Sequence, residues 1–239
     1  MEINDTIVPE DFVRHLDKKV SGMLSRVETS EVYRIASDPN SDSRLVANII
    51  KYILLEVFSY GPHVTEATFT AIGGFPKNRP DLMRPMILHD ISEVDHGEMA
   101  LQDFIKLGGN EAWARSRRIT PVSFAMAATC RMLAQLENPF SYLGYMYLFE
   151  CLTPILTERG QTFLTAKGFP AAARKFIDVH ATEDIAHADA LAKLVARVVR
   201  DYPDAASAID YGFDCFAAVY PLPIWESALQ QARTELTRL

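Results

Sequence analysis

Two segments of the chain repeat one pattern, in which a histidine is followed after four residues by an acid and after seven by a second histidine. The two trios are His89, Glu93 and His96, and His180, Asp184 and His187. Offsets of four and seven residues return to the same face of an α-helix, so the members of each trio can point in one direction. The repeat uses four of the six histidines in the chain. It predicts two helices, each with a polar face of imidazoles and a carboxylate.

Helical periodicity extends over nearly the whole chain. Apolar residues recur at helical spacing, proline and glycine fall between the periodic segments, and alternating strand patterns are missing. The predicted helices cover residues 9–27, 44–73, 81–107, 121–136, 140–158, 170–201 and 204–218, followed by a last turn or two near the C-terminus. No linker, low-complexity tract or repeat of solenoid length separates them. The sequence therefore predicts a single all-α domain over residues 1–239.

The composition excludes several classes of protein. Hydrophobic residues make up 49% and charged residues 23%, as in soluble globular chains. A net charge of −7 disfavours nucleic acid and anionic membranes as partners. The first residues lack the apolar segment of a signal peptide, and no run reaches the roughly 20 apolar residues that span a bilayer. Cys130, Cys151 and Cys215 form no C-x-x-C pair, so we expect a cytoplasmic protein without a disulfide framework.

The residues of the trios indicate a metal site. Apolar neighbours, including Leu88, Ile91 and Leu191, predict that both helices are largely buried. Buried imidazoles and carboxylates need partners, and a metal ion supplies one. Imidazole and carboxylate without thiolate suit iron or manganese rather than structural zinc.

Two further acids complete the pattern of a two-metal bundle. Di-metal carboxylate bundles take one glutamate from each of two helices and a Glu-x-x-His motif from each of two others. The trios provide the (acid)-x-x-His motifs, and Glu56 and Glu150 lie within apolar helical runs that would provide the other two ligands. An acid in such surroundings is rarely buried without a partner. Glu66, on the same helix as Glu56, is the alternative to it.

These residues could also have no role in metal binding. The trios would then be the polar faces of two amphipathic helices with accidental ion pairs, and the repetition of the pattern disfavours this interpretation. His15 and His63 are expected to have no role in metal binding and to be core or surface residues whose ring nitrogens have ordinary hydrogen-bond partners. Asp90, Asp95 and Glu98 turn away from the ligand face and are expected to be solvated or to support the ligands.

With these residues the chain resembles the haem-oxygenase-like di-iron oxidases and oxygenases, from about residue 44 to residue 219. The most specific element is H-x-x-x-D-x-x-H at residues 180–187. Glu150, thirty residues before His180, matches a glutamate on the preceding helix of the family. His96, eleven residues before a Leu-Gly helix end, matches a second family position.

Three more positions bear on the resemblance. Glu56 matches the first-helix glutamate of the family, and Glu93 matches a carboxylate that some members use. His89 departs from the pattern, because many members carry a glutamate there. Either His89 replaces that ligand, or Glu93 takes over and His89 supports it.

The resemblance implies a seven-helix haem-oxygenase-like bundle that holds two iron ions and uses O2 as co-substrate. Its parts would be an N-terminal helix and turn (1–43), a metal-binding helical core (44–219) and a C-terminal segment (220–239). The ligands implied are Glu56, His89 or Glu93, His96, Glu150, His180, Asp184 and His187.

The function implied is O2-dependent oxidation of a small metabolite, in the first place an amino acid, aromatic ones included. The reactions are C–H abstraction, N-oxygenation, or oxidative C–C cleavage or rearrangement to an alkene or nitrile, in natural product biosynthesis. Expected partners are the substrate and an external electron donor, and a homodimer is left open. The alternatives are a ferritin-like protein for iron handling or electron transfer, and a metal-free, non-redox enzyme or binding module of the same fold.

Candidate pocket residues follow from helical offsets around Glu56 and Glu150. They are Tyr52, Tyr60, Leu143, Met146 and Tyr147, each of which could equally be core. Arg84, Arg131 and Arg159 are candidates to bind a substrate carboxylate through the guanidinium fork, and the sequence does not rank them.

Overall fold

A computed structural model of the chain describes residues 8–237, apart from the side chains of residues 183–185. This part contains eleven α-helices, one 3-10 turn at Ala171–Ala173 and no strand. The helices are α1 (Pro9–Thr29), α2 (Glu31–Ser37), α3 (Ser43–Gly74), α4 (Pro80–Glu93), α5 (His96–Lys106), α6 (Glu111–Ser116), α7 (Pro121–Leu133), α8 (Ser141–Ala166), α9 (Lys175–Asp201), α10 (Ala205–Ala217) and α11 (Leu222–Leu236). The all-α prediction is confirmed, whereas the expected count of seven helices is wrong.

The predicted helix over 81–107 is two helices in the structure. The chain leaves the helical ladder at Val94 and Asp95, and hydrogen bonding resumes where Met99 N donates to Asp95 O at 3.0 Å. The last helix is also longer than predicted, with 15 residues in α11. Pro221 is its N-cap residue and Pro223 lies in its first turn, where no backbone N–H is needed.

Side-chain caps set the starts of two helices next to the site. The Asp42 side chain accepts a hydrogen bond from Arg44 N at 2.8 Å and starts α3. The Thr120 hydroxyl accepts from Ser123 N at 3.3 Å and starts α7, with a proline in its first turn. Each cap satisfies a backbone donor that the first helical turn leaves without a partner.

Helix α8 lies at the centre of the packing, with α9 and α10 against it, and α3 packs against α5, α7 and α11. Two glycines let α8 and α10 approach closely. A Cβ atom at Gly144 would overlap the backbone of α10, and one at Gly212 would overlap the backbone of α8. This close crossing brings the buried face of α8, with Glu150, into the middle of the molecule.

Helix α3 is long and apolar enough to cross a membrane by length and composition alone. It also carries Lys51 and Glu56, both buried, and a proline at residue 62. Lys51 Nζ donates to the Glu235 carboxylate of α11 at 2.7 Å. Helix α3 packs against α5, α7 and α11 within the bundle.

Helix α4 is less buried than its apolar residues predict. Leu88 and Ile91 are exposed on its outer side, at 62% and 60%, and Val94, just past its end, is 54% exposed. Only the opposite side, with Leu82 and Met86, is buried in the core. The expectation that both trio helices are largely buried is therefore wrong for α4.

Candidate metal centre

Four helices bring six of the predicted ligands together in two adjacent groups. The His89 group consists of His89 of α4, Glu150 of α8 and His187 of α9. The Glu93 group consists of Glu93 of α4, His96 of α5 and His180 of α9. Within each group, one possible ligand atom per residue lies within 4.8 Å of the others. Each group offers two imidazoles and one carboxylate.

In the His89 group, both imidazoles lie against one carboxylate. His89 Nε2 is 3.0 Å from Glu150 Oε1, and His187 Nδ1 is 3.6 Å from Glu150 Oε2. The two rings meet edge to face, with centroids 4.7 Å apart. Glu150 itself is almost fully buried. Its two oxygens thus face different histidines from different helices.

In the Glu93 group, the carboxylate again lies between two imidazoles. Glu93 Oε2 is 2.6 Å from His96 Nδ1 and 3.9 Å from His180 Nε2. The His96 and His180 rings have centroids 4.5 Å apart. Glu93 Oε1 also lies 3.6 Å from His187 Nδ1, so this carboxylate reaches both groups.

His180 is held in the orientation of a metal ligand. Its Nδ1 donates a hydrogen bond to the Phe176 carbonyl oxygen at 2.7 Å, which leaves Nε2 directed at Glu93. Burial and the neighbouring His96 lower the pKa of His180, which favours the neutral imidazole. A hydrogen bond from the distant ring nitrogen is how metal-binding histidines are usually fixed.

The His89 and Glu150 pair is charged despite its burial. Burial by itself would lower the pKa of His89, but the Glu150 and Glu93 carboxylates outweigh it and raise this pKa to about 9. Burial would likewise raise the pKa of Glu150, yet His89 and His187 lower it to about 2. In the absence of another cation, a proton on His89 therefore balances the Glu150 carboxylate.

The polar atoms of the site leave room for a further partner. Both ring nitrogens of His89 and the Oε1 atom of Glu93 are buried and have no hydrogen-bond partner among the described residues. His89 Nε2 is close to Glu150 but is not aligned for a hydrogen bond. Buried polar atoms without hydrogen bonds cost about 1–3 kcal/mol each. A cation coordinated by nitrogen and oxygen would remove this cost, and a donor set without thiolate fits iron.

Two of the predicted ligands are not placed in these groups. Glu56 lies on a different side of α3, where its carboxylate accepts hydrogen bonds from neighbouring helices. The side chain of Asp184 lies outside the described residues, so its predicted role stays a prediction. Glu66, the alternative to Glu56, is exposed and paired with Arg131. Helix α3 instead presents Val57 and Tyr60 to the cavity that also contains His89, Glu93, His96 and Glu150.

The Glu56 carboxylate has four donors of its own. Thr120 Oγ1 and Ser123 Oγ donate to it at 2.6 and 2.7 Å, Gln231 Nε2 donates at 3.1 Å, and Arg117 Nη2 lies at 3.3 Å. These donors come from α7, α11 and the segment before α7. The apolar run around Glu56 correctly predicted a buried acid, but its partners are protein side chains.

The predicted pocket residues divide in the same way. Tyr60 and Met146 line the cavity beside the metal ligands. Leu143 and Tyr147 are core residues, and the Tyr147 hydroxyl donates to Asp17 of α1 at 2.6 Å. Tyr52 packs among apolar side chains next to Lys51.

The three predicted arginines have different surroundings. Arg131 is paired with Glu66, and Arg159 is paired with Glu28 and donates to the Tyr33 hydroxyl at 3.0 Å. Arg84 lines an open groove between α4 and α9.

Two buried acids support the site: Asp103, which the sequence did not single out, and Asp90, for which the sequence left a solvated or a supporting position open. Asp103 of α5 accepts a hydrogen bond from Phe176 N at 2.7 Å and so fixes the start of α9 relative to α5. Asp90, next to His89, is buried against Thr68 of α3, and burial raises its pKa to about 6. Both contacts join different helices, so the pattern within one helix does not predict them.

Comparison with known proteins gives a family and a fold. A family model described as "iron-containing redox enzyme" matches residues 69–220. No curated protein matches the chain. A domain with a haem-oxygenase-like fold from Shewanella denitrificans superposes with a TM-score of 0.73 and 17% identity, over 97% of this chain and 95% of that one.

Two TenA homologues are also similar in structure. The homologue from Pseudomonas syringae pv. tomato gives a TM-score of 0.70 at 14% identity, over 92% of this chain and 93% of that one. The homologue from P. horikoshii gives 0.68 at 17% identity, over 94% and 100%. At these identities the likeness shows the haem-oxygenase-like fold and nothing finer.

Proposed function

Since the chain belongs to the family of iron-containing redox enzymes, we propose that it is an O2-dependent non-haem di-iron oxidase or oxygenase of a small metabolite. The observation that carries the proposal is the pair of adjacent groups on α4, α5, α8 and α9, each with two imidazoles and one carboxylate. Two such groups could hold two metal ions, and the Glu93 carboxylate lies near histidines of both groups.

The iron ions would supply the redox chemistry, and the chain's own residues would set its geometry. Glu150, His89 and His187 would hold one ion, and Glu93, His96 and His180 the other. Asp184, which the H-x-x-x-D-x-x-H motif adds, is proposed as a further ligand. Loading the His89 group requires that His89 give up its proton, because only the neutral imidazole binds a metal.

The cavity beside the groups would limit the access of water to the reaction. Val57, Tyr60 and Phe149 line it together with the proposed ligands. From the family resemblance we propose an acid-bearing metabolite, with amino acids as the first class to screen, and C–H abstraction, N-oxygenation or C–C cleavage as the reactions.

The structural likeness to TenA homologues raises a non-redox enzyme as an alternative function. An enzyme of this kind that used a cysteine nucleophile would need a thiolate near neutral pH, and the cysteines of this chain disfavour it. Burial raises the pKa of Cys151 to about 12 and that of Cys130 further still. Cys215 lies on α10, which packs against α8 but carries no residue of the two groups.

The test is to load the full chain anaerobically with Fe(II), remove unbound metal and measure iron per chain. Two iron ions per chain are expected, followed by O2 uptake that depends on an added metabolite, with products identified by mass spectrometry. His187→Ala should lose iron, because it removes a ligand from the His89 group. His15→Ala is the matched control, since His15 is half-exposed on α1 and paired with Asp210 at 2.9 Å. Failure of the native chain to retain iron would overturn the proposal.

A further inference from the structure

An open groove leads from the surface to the His89 group. It lies between α4 and α9 and has a volume of about 410 Å³, within the usual range of small-molecule sites. His89 and His187 both line it, so a molecule in the groove would contact two of the proposed ligands. The cavity that Tyr60 lines shares only His89 and Met146 with this groove among its described lining residues.

The walls of the groove are apolar. They are formed by Met86, Leu88, Met146, Leu191 and Leu194, with the small Ala190 between them. Leu88 is 62% exposed, although it is a large aliphatic residue. Covering such surface with an apolar ligand is favourable, at about 25 cal/mol per Å² removed from water.

Arg84 is the one permanently charged residue among the described residues that line this groove. It forms no ion pair or hydrogen bond with any described residue, whereas Arg131 and Arg159 are each paired with a glutamate. A guanidinium fork matches the two oxygens of a carboxylate. In a chain of net charge −7, an anionic ligand needs a local cation of this kind.

The spacing along α4 relates Arg84 to the metal groups. Arg84 precedes His89 by five residues, which corresponds to about 7.5 Å along the helix axis. A molecule whose carboxylate lies at Arg84 can therefore extend its body along the groove toward His89.

We propose that this groove binds the substrate and that Arg84 binds its carboxylate, with the apolar body against the methionines and leucines. Arg84 is then a positioning residue that determines specificity for acids over neutral molecules. The statement that the ligand of the groove is the substrate rests on the proposed function. A third cavity, lined by Ile49, Leu156 and Ile224 and about 120 Å³ in volume, has no charged residue in its described lining and is not expected to take an acid.

Binding to the metal-free full chain tests the groove independently of iron. Calorimetric titration would compare 3-phenylpropanoate with 3-phenylpropanamide, which share the apolar body and differ in charge. The acid should bind more tightly to the native chain. Arg84→Gln should weaken binding of the acid at least tenfold and change binding of the amide less than twofold. Arg26→Gln, which removes an exposed arginine from α1, should leave both affinities unchanged.

A second variant tests the place of the apolar body. Ala190→Trp would fill the groove and should weaken binding of the acid and of the amide alike, with the helical content by circular dichroism unchanged. Equal binding of the acid to the native chain and to Arg84→Gln, or no binding to the native chain, would overturn the inference. Neither result depends on iron, so the di-iron proposal is judged separately by the metal content of the loaded chain.

Discussion

Two buried glutamates on apolar helices, Glu56 and Glu150, have opposite surroundings. Glu56 accepts hydrogen bonds from two hydroxyls and an amide and is paired with Arg117. Glu150 faces the imidazoles of His89 and His187. The first carboxylate is satisfied by protein groups that keep their protons at all ordinary pH values. The second is satisfied by groups that exchange a proton for a metal ion.

This difference distinguishes two kinds of buried carboxylate. The donors around Glu56 are protein side chains that join α3 to α7 and α11, so this carboxylate has its partners without a metal ion. Imidazole does have such a form, and both ring nitrogens of His89 are buried without hydrogen bonds to described residues. A buried acid therefore becomes informative about function only once its partners are known.

The largest expected effect is on bound iron. Glu150→Gln removes the carboxylate between His89 and His187, so it should reduce iron from two to at most one ion per chain after anaerobic loading. Glu56→Gln is the matched change at the other acid and should keep two ions, because Glu56 is outside both groups. Iron analysis of the purified, folded variants checks this. If Glu56→Gln lost iron and Glu150→Gln kept two ions, the assignment of Glu150 rather than Glu56 to the metal groups would be wrong.

The next effect concerns stability. Arg117→Met leaves the Glu56 carboxylate buried without its cation, and breaking a buried pair in this way costs about 3 to 5 kcal/mol. Urea unfolding should show this loss while iron content stays unchanged. Arg115→Met is the control, since Arg115 is half-exposed and forms surface pairs, which contribute less than about 1 kcal/mol. The double variant with Glu56→Leu should recover part of the loss, because no unpaired charge remains.

The third effect is a pH dependence confined to the metal-free protein. The pKa of His89 is raised from 6.5 to about 9, because its neighbouring carboxylates favour the charged form. Its contribution to stability is therefore complete below pH 6.5 and is lost as the pH rises through about 9. The shift corresponds to about 3 kcal/mol. Urea unfolding of the chelator-treated protein between pH 6 and 10 measures it, and His89→Asn should flatten the curve. Superimposable curves for the two proteins would contradict the assignment of the effect to His89.

Local patterns predicted the helices and most of the candidate site. The offsets within the trios place their members on one helix face whatever the rest of the chain does, and the structure brings His89, Glu93 and His96 to the centre of the site with His180 and His187. Glu150 was found because it is an isolated charge in an apolar run. Some predicted helix ends were wrong. The break between Glu93 and His96, for example, was not predicted from the local sequence.

The tertiary structure decided what the buried acids do. Glu56 and Glu150 have equivalent local sequences, but Thr120, Ser123 and Gln231 come from segments 64 to 175 residues away in the chain. The same holds for the arginines, since only the packing of α4 against α9 shows which of them lines a groove. The sequence alone determined which residues are available on each helix face, because helix geometry is local. Which partner each of them has depends on contacts between distant segments, and those contacts exist only in the folded chain.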